Sequence, residues 1–315
     1  MFVSSTMIAS HFQYMRISLF VPALTCLVIF RSCLPAQQSD PQNPPDTPGP
    51  SSNIVNFPIP SNLSFCGEEV PLSDPEIAER LEREINALAY YHASTLLVLK
   101  RTHRWKEDIL KILRAEGIPT DFFYLAVAES NLDNDAESYR QAVGMWQLMD
   151  ATAKEMGLEV NTYIDERRDP FLSTSAACKY LQQSYSRFGN WTLVAAAYNR
   201  GIAGLANALE SQMVDSYYDL YLHEQTYRYI FKILAYKVIL ENPEHYRFQI
   251  PENKLYEPWN YREITVSETI PDLPTWAKEY QTTYKYLKLY NPWITSIDYS
   301  LPVKHEKTYI IRTPR

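Results

Sequence analysis

Glycine is scarce in this chain, with 8 residues in 315; an average composition of roughly 7% would supply about 22. There is no GxGxxG and no GxxxxGK[ST] run, so the usual glycine-lined phosphate loops are excluded. Positive charge is also short. Thirty Lys+Arg face 37 Asp+Glu for a net charge of −7, and no basic stripe interrupts the balance, which argues against a nucleic-acid partner. The four cysteines, Cys26, Cys33, Cys66 and Cys178, form no CxxC or Cys/His spacing, and the six histidines include no HExxH. Neither pattern builds a metal site, and no metal or cofactor is expected. No apolar run reaches the roughly 18 residues of a membrane-spanning helix. What the chain has in excess is aromatic: 24 Tyr and 6 Trp, side chains that pack and hydrogen-bond at once. With 46% hydrophobic and 21% charged residues, the sequence predicts a globular protein of one large domain or two smaller ones.

The N-terminus reads as an export signal. Arg16 precedes an apolar run over 17–30 that Arg31 closes, short for a membrane span and suited to a signal core. Met15 is an alternative start, and cleavage near Ala36 gives a signal peptide over 1–36. Cys33 and Cys26 follow Phe30-Arg31-Ser32 and Ala23-Leu24-Thr25, both poor lipidation boxes, so attachment to a membrane by lipid is left open. Residues 37–73 read as a linker. Proline recurs at 41, 44, 45, 48, 50, 58, 60 and 71 among Ser, Asn, Gln and Asp, a composition that stiffens a chain and buries little.

Beyond it the pattern is helical. Asp74 and Pro75 supply an N-cap and a first-turn proline, and Ile77, Leu81, Ile85 and Leu88 give one apolar stripe. A second helix runs through Trp105, Ile109 and Leu113 and stops at Gly117. Further helices are expected over 150–156, 170–188, 191–199, 202–212 and 224–241. From about 260 the texture changes to a short strand over 261–266, two short helices over 273–280 and 283–291, and a closing strand over 307–312. The expected fold is therefore mainly α, a helical body followed by a small βααβ unit. Cys178 lies within a helix and is expected as a buried free thiol.

The sharpest local feature is Glu129. It stands near the end of Asp121-Phe122-Phe123-Tyr124-Leu125-Ala126-Val127-Ala128-Glu129-Ser130, a segment apolar nearly all round and so a buried helix. A carboxylate there is costly when ionised, and its pKa should rise. That is what a general acid needs near neutral pH, although a buried structural salt bridge fits the same pattern.

Glu129-Ser130 is followed by Gly144-Met145-Trp146-Gln147 and then by Ala197-Tyr198-Asn199-Arg200-Gly201. With these three ordered motifs, and with Phe188-Gly189-Asn190-Trp191-Thr192, the chain resembles the lytic transglycosylases of peptidoglycan, in particular their membrane-bound type D branch. The likeness spans about 75–250. It implies a goose-type-lysozyme-like helical domain over 74–250 that acts on peptidoglycan strands in the periplasm. By that resemblance Glu129 is the single acid/base, and Ser130 orients it by a hydrogen bond. Met145, Gln147, Tyr198, Asn199 and Tyr229 line or close the substrate site. A goose-type-lysozyme-like hydrolase and a weakly catalytic peptidoglycan-binding scaffold remain open alternatives.

Three departures from the family pattern stand beside the motifs. Gln141 replaces a glycine in Ser138-Tyr139-Arg140-Gln141-Ala142-Val143-Gly144, which predicts a loop on another path. Gln225 stands where an acid is usual, and Arg247 where a glycine is. The C-terminal stretch over 251–315 weakly resembles the LysM module, a βααβ binder of glycans. It has Ser267-Glu268-Thr269 in place of Gly-Asp-Thr, and a helper domain packed on the body is the other reading.

Overall fold

The computed structural model describes residues 55–315. The expected signal peptide over 1–36 and the first part of the linker lie outside the described residues. Helices α1 (Pro75–Tyr90), α2 (His92–Ala115), α3 (Phe122–Ser130), α4 (Asp150–Glu155), α5 (Pro170–Phe188), α6 (Trp191–Arg200), α7 (Ile202–Gln212) and α8 (Glu224–Glu241) build the body. A C-terminal unit follows: strand β3 (Tyr261–Val266), helices α9 (Leu273–Glu279) and α10 (Tyr284–Tyr290), and strand β4 (Tyr309–Pro314). β3 and β4 pair antiparallel, with Tyr261 opposite Pro314 and Val266 opposite Tyr309.

The local rules that predict these elements are visible at their ends. Asp74 accepts the Glu76 backbone N–H at 2.9 Å to cap α1, and Asp169 accepts from Phe171 and Leu172 to cap α5. α3 is different in kind. All seven residues from Phe122 to Ala128 are buried, so this helix is held by its surroundings rather than by an amphipathic face.

The linker expectation does not hold for 55–73. Phe57, Phe65 and Val70 are buried in the core of the body, and a short antiparallel pair forms between β1 (Ser64–Phe65) and β2 (Glu68–Glu69). Phe65 meets Phe122 of α3 edge-on at 5.4 Å. Glu68 caps α6 from outside, accepting from the Trp191 and Thr192 backbones at 2.6 and 2.8 Å. A proline-rich composition hides a few well-spaced apolar side chains, and those decide the matter.

The C-terminal unit has its own core around Leu273, Ala277, Leu287, Trp293, Ile294, Leu301 and Ile311, which also takes in Ile164 of the body. Backbone bonds stitch the seam: Asp165 N–H to Trp293 O at 2.8 Å and Thr295 N–H to Tyr163 O at 2.8 Å. Arg312 on β4 donates to Asp169, the cap of α5, at 2.5 Å, with both side chains buried. The unit is thus fixed to the body rather than tethered. Cys66 and Cys178 are free thiols, and burial pushes Cys178 up to about 12.

Candidate active site

α3 ends where its apolar sequence ends. Asn131 takes a left-handed conformation at φ 55°, and its N–H returns to Val127 O, the usual way to satisfy a terminal carbonyl. The side chain of Asn131 is held by the Tyr236 hydroxyl at 2.8 Å. Arg101 donates to the Asn131 carbonyl at 3.0 Å. Glu129 is therefore presented from a helix end braced by α2 and α8.

The Tyr229 hydroxyl of α8 donates to Glu129 Oε1. One turn further along α8, Lys232 places its ammonium on the Ala128 carbonyl at 2.5 Å rather than on the carboxylate. Burial raises the Glu129 pKa above its ordinary value; the Tyr229 bond and the Lys232 charge pull the other way without cancelling it. Burial likewise lowers the Lys232 pKa, against the fields of Glu129 and Glu84. Tyr198 and Tyr229 are pushed well above the usual phenol value, by burial first and by the Glu129 charge second. Both phenols therefore stay protonated as donors. Glu129 as a residue is half-buried. The arrangement is a protonatable acid with a donor positioned to receive the carboxylate after it gives up its proton.

The sequence-predicted residues divide into two groups. Glu129, Tyr198 and Tyr229 converge. Tyr198 donates to the Trp146 carbonyl at 2.7 Å, so α6 grips the loop that follows α3. Ser130 does not orient the Glu129 carboxyl; its hydroxyl donates to Met145 O at 2.8 Å, and its role here is to tie α3 to that loop. Gln147 also faces inward, its amide donating to Gly144 O and Ala136 O at 2.9 and 3.2 Å. The Met145 side chain is fully buried and has no surface to offer a substrate, which corrects its reading as a contact. Asn199 is exposed at the end of α6, and its side chain makes no hydrogen bond among the described residues.

Gln141 adopts φ 63°, the region that glycine enters cheaply, so the loop keeps a left-handed turn there despite the side chain. Asp133, Asp135 and Glu137 are engaged by arginine: Arg101 holds Asp133 at 2.8 Å, and Arg168 bridges Asp135 and Glu137. Among the described residues no group of three His, Cys, Asp or Glu side chains is placed to hold a metal. Lys232 and Tyr180 are the neighbours that sequence reasoning missed. Tyr180 stands edge-on to Tyr198 at 5.4 Å. Lys232 carries a readable signal: it is three residues from Tyr229 and so on the same face of α8.

Comparison with known proteins places these features in context. Residues 109–220 match the family model described as Transglycosylase SLT domain. Residues 262–315 match that of the soluble lytic transglycosylase C-terminal LysM-like domain. Over 196 residues, 60% of the chain, it is 30% identical to membrane-bound lytic murein transglycosylase D of Escherichia coli K12, and equally so to that of Escherichia coli O6:H1. The chain spans 42% of the length of these relatives. The solved lytic transglycosylase Slt of Pseudomonas aeruginosa, an inactive mutant, aligns at TM-score 0.36 and 22% identity, over 48% of this chain and 26% of that one.

Proposed function

We propose that this chain, which carries an SLT transglycosylase domain followed by a LysM-like C-terminal domain, cleaves peptidoglycan glycan strands without water. The observation that carries the reading is Glu129: a carboxyl raised by burial, bonded to the Tyr229 hydroxyl, with no cation on it. Neutral Glu129 gives its proton to the glycosidic oxygen between N-acetylmuramic acid and N-acetylglucosamine, and the C1–O bond breaks. The carboxylate, stabilised by Tyr229 and by the nearby Lys232 charge, then takes the proton of the C6 hydroxyl in the same muramyl residue. That oxygen attacks C1 and closes a 1,6-anhydro ring. The attack is intramolecular and gains from high effective molarity, so no enzyme nucleophile is needed.

A hydrolytic route in which a second carboxylate activates water finds less support, because Asp133, Asp135 and Glu137 are committed to Arg101 and Arg168. In this reading the catalytic body comprises 74–250 together with 55–73. Residues 251–315 form a glycan-binding unit, and the protein works in the cell envelope after export. Digestion of purified sacculi followed by mass spectrometry of the muropeptides tests the proposal. Anhydromuramyl ends are expected, and a Glu129→Gln variant should lose about 10²–10⁴-fold in rate. Reducing ends without anhydro ends would replace it with the hydrolase. No cutting by wild type, with sacculus binding equal to that of the variant, would leave a scaffold.

A further inference from the structure

One face of α8 meets the end of α3. Arg228 and Tyr229 lie one turn before Lys232 on that face, and Tyr236 one turn after. Tyr229 gives its hydroxyl to Glu129 Oε1. Lys232 is half-buried, and its ammonium donates to the Ala128 carbonyl at 2.5 Å. That carbonyl belongs to the last turn of α3, which Asn131 closes, where backbone acceptors run out of amide partners. The end of a helix favours a cation as well. An ammonium has three donors. Among the described residues Lys232 makes no other hydrogen bond and no salt bridge, so most of its capacity is unspent.

Charged and titratable neighbours come from every element packed here. Glu84 of α1 is buried, and Arg228 holds it with two bonds, from Nε at 2.6 Å and from Nη2 at 3.1 Å. At its exposed end Arg228 also reaches Glu224 at 3.9 Å. The Tyr236 ring centre lies 5.9 Å from the Lys232 ammonium. Tyr198 of α6 and Tyr180 of α5 adjoin Tyr229. Arg101 of α2 is taken by Asn131 O and Asp133. Glu84 and Arg228 compensate each other, which leaves Lys232 uncompensated while Glu129 keeps its proton. An unmatched buried charge is costly, so the ammonium pulls on that proton. The carboxylate has room to receive it, since Tyr229 on Oε1 is the sole side-chain bond to Glu129 among the described residues.

We propose that Lys232 is a positioning residue with two stations: the Ala128 carbonyl while Glu129 holds its proton, and the Glu129 carboxylate once that proton has left. The proposal rests on the transglycosylase reading of Glu129. When the glycosidic oxygen takes the proton and the C1–O bond breaks, the ammonium swings from carbonyl to carboxylate on its flexible stem. When the carboxylate takes the proton of the C6 hydroxyl, the ammonium returns. No covalent bond to Lys232 is made or broken, and it keeps all its protons throughout. Its first station leaves the acid without a counter-ion before the reaction, so Glu129 starts protonated. The swing supplies the counter-ion only in the state that needs one, which is how a charge lowers a barrier rather than a ground state.

The test separates charge from hydrogen bonding. Lys232→Gln can still donate to the Ala128 carbonyl but carries no charge; Lys232→Arg keeps the charge; Lys232→Met keeps neither. On sacculi, Lys232→Gln and Lys232→Met should each lose about 10–100-fold in kcat, the size of one charge-assisted bond. KM should stay within about twofold, because the contact forms only after binding. Without the cation Glu129 holds its proton more tightly, so the basic limb of the pH–rate profile should move up by about one pH unit. Lys232→Arg should keep the wild-type limb and most of kcat. A limb that stays in place in Lys232→Gln reduces Lys232 to a cap on Ala128 and overturns the proposal. If Lys232→Gln does not fold, Lys232→Met and Lys232→Arg decide: a shifted limb in the first alone supports it, and the same limb in both overturns it. If wild type makes no cuts, the transglycosylase reading fails, and infrared titration of the Glu129 carboxyl decides Lys232 separately, each protein measured against its own Glu129→Gln form. Loss of the carboxyl band at higher pH in Lys232→Gln than in wild type supports the proposal, and loss at the same pH overturns it.

Discussion

The end of α3 and the seam with the C-terminal unit both take carboxylates away from water, but they treat the charge in opposite ways. At the seam, Asp169 receives the Arg312 guanidinium. Nearby, Glu159 accepts from Lys307 and from the Tyr309 hydroxyl. Burial alone would raise Glu159, but these bonds and the lysine charges hold it below its usual value. At α3, Glu129 receives a phenol, while the nearest ammonium is turned onto a backbone carbonyl. A paired charge fixes geometry and stays charged. A buried carboxyl denied its counter-ion keeps its proton, which is the state an acid catalyst starts from.

The contrast predicts opposite responses to removing a charge. Arg312→Met strands Asp169 in the seam and should cost about 3–5 kcal/mol, read as a lower urea midpoint. Glu129→Gln should do the reverse at neutral pH. The folded pKa of Glu129 is raised, so the folded state binds more protons than the unfolded one. Its contribution is therefore complete below the unfolded value of about 4.3 and is lost as pH rises through the folded value. Wild type and Glu129→Gln should have similar midpoints at pH 4, and the variant should be the more stable at pH 8. A loss from Glu129→Gln as large as that from Arg312→Met would break the comparison.

Tyr229→Phe sharpens it. The phenol bond lowers the Glu129 pKa against burial, so deleting it should move that pKa further up. Because catalysis starts from the protonated acid, activity falls as pH rises through this value, and the basic limb of the pH–rate profile should shift to higher pH. The rate on the plateau should fall about tenfold to a hundredfold, since the carboxylate formed during the reaction loses a charge-assisted bond. A limb that stays in place would mean that the Tyr229 hydroxyl does not act on the titrating group.

What the sequence disclosed follows the range of the forces involved. α5, α7 and α8 are readable because their apolar spacing and end signals are local, and β3 is readable because strand alternation replaces the helical period. Glu129 stands out as the lone charge between Phe122 and Ser130. Its surroundings are non-local and largely escaped. Tyr229 is reached through family likeness, and Lys232 meets Ala128 only through the packing of α8 on α3. The roles of Ser130 in orienting Glu129 and of Met145 at the substrate come from family likeness, whereas the loop turns the Ser130 hydroxyl onto the Met145 backbone and the Met145 side chain into the core. The fold of 55–73 was missed because its composition averages over Phe57 and Phe65, each of which finds a partner far along the chain.

The loop after α3 links the two regions through Arg167 and Arg168, and the Arg167 contact offers the smallest predicted effect. Arg167, beside the seam, donates to Gln141 O and Leu148 O at 3.0 and 3.2 Å. Within that loop, Gly144 and Gln141 are among the residues with left-handed backbone. Gly144 does so against Arg167: a Cβ there would sit 1.9 Å from the Arg167 carbonyl oxygen, so no side chain fits. Gln141, at φ 63°, is exposed, and only its backbone is engaged, by Arg167 and by its own N–H to Ser138 O at 2.8 Å. Gln141→Gly removes a left-handed cost of about 1–2 kcal/mol, partly offset by the greater freedom of glycine in the unfolded chain. A net gain of about 0.5–1 kcal/mol in urea unfolding is expected. Because Arg167 holds the backbone path rather than the glutamine side chain, kcat on sacculi should change less than about twofold. A larger change would mean that the Gln141 side chain, not the arginine, sets the loop beside Glu129, and that the site and the seam are mechanically independent.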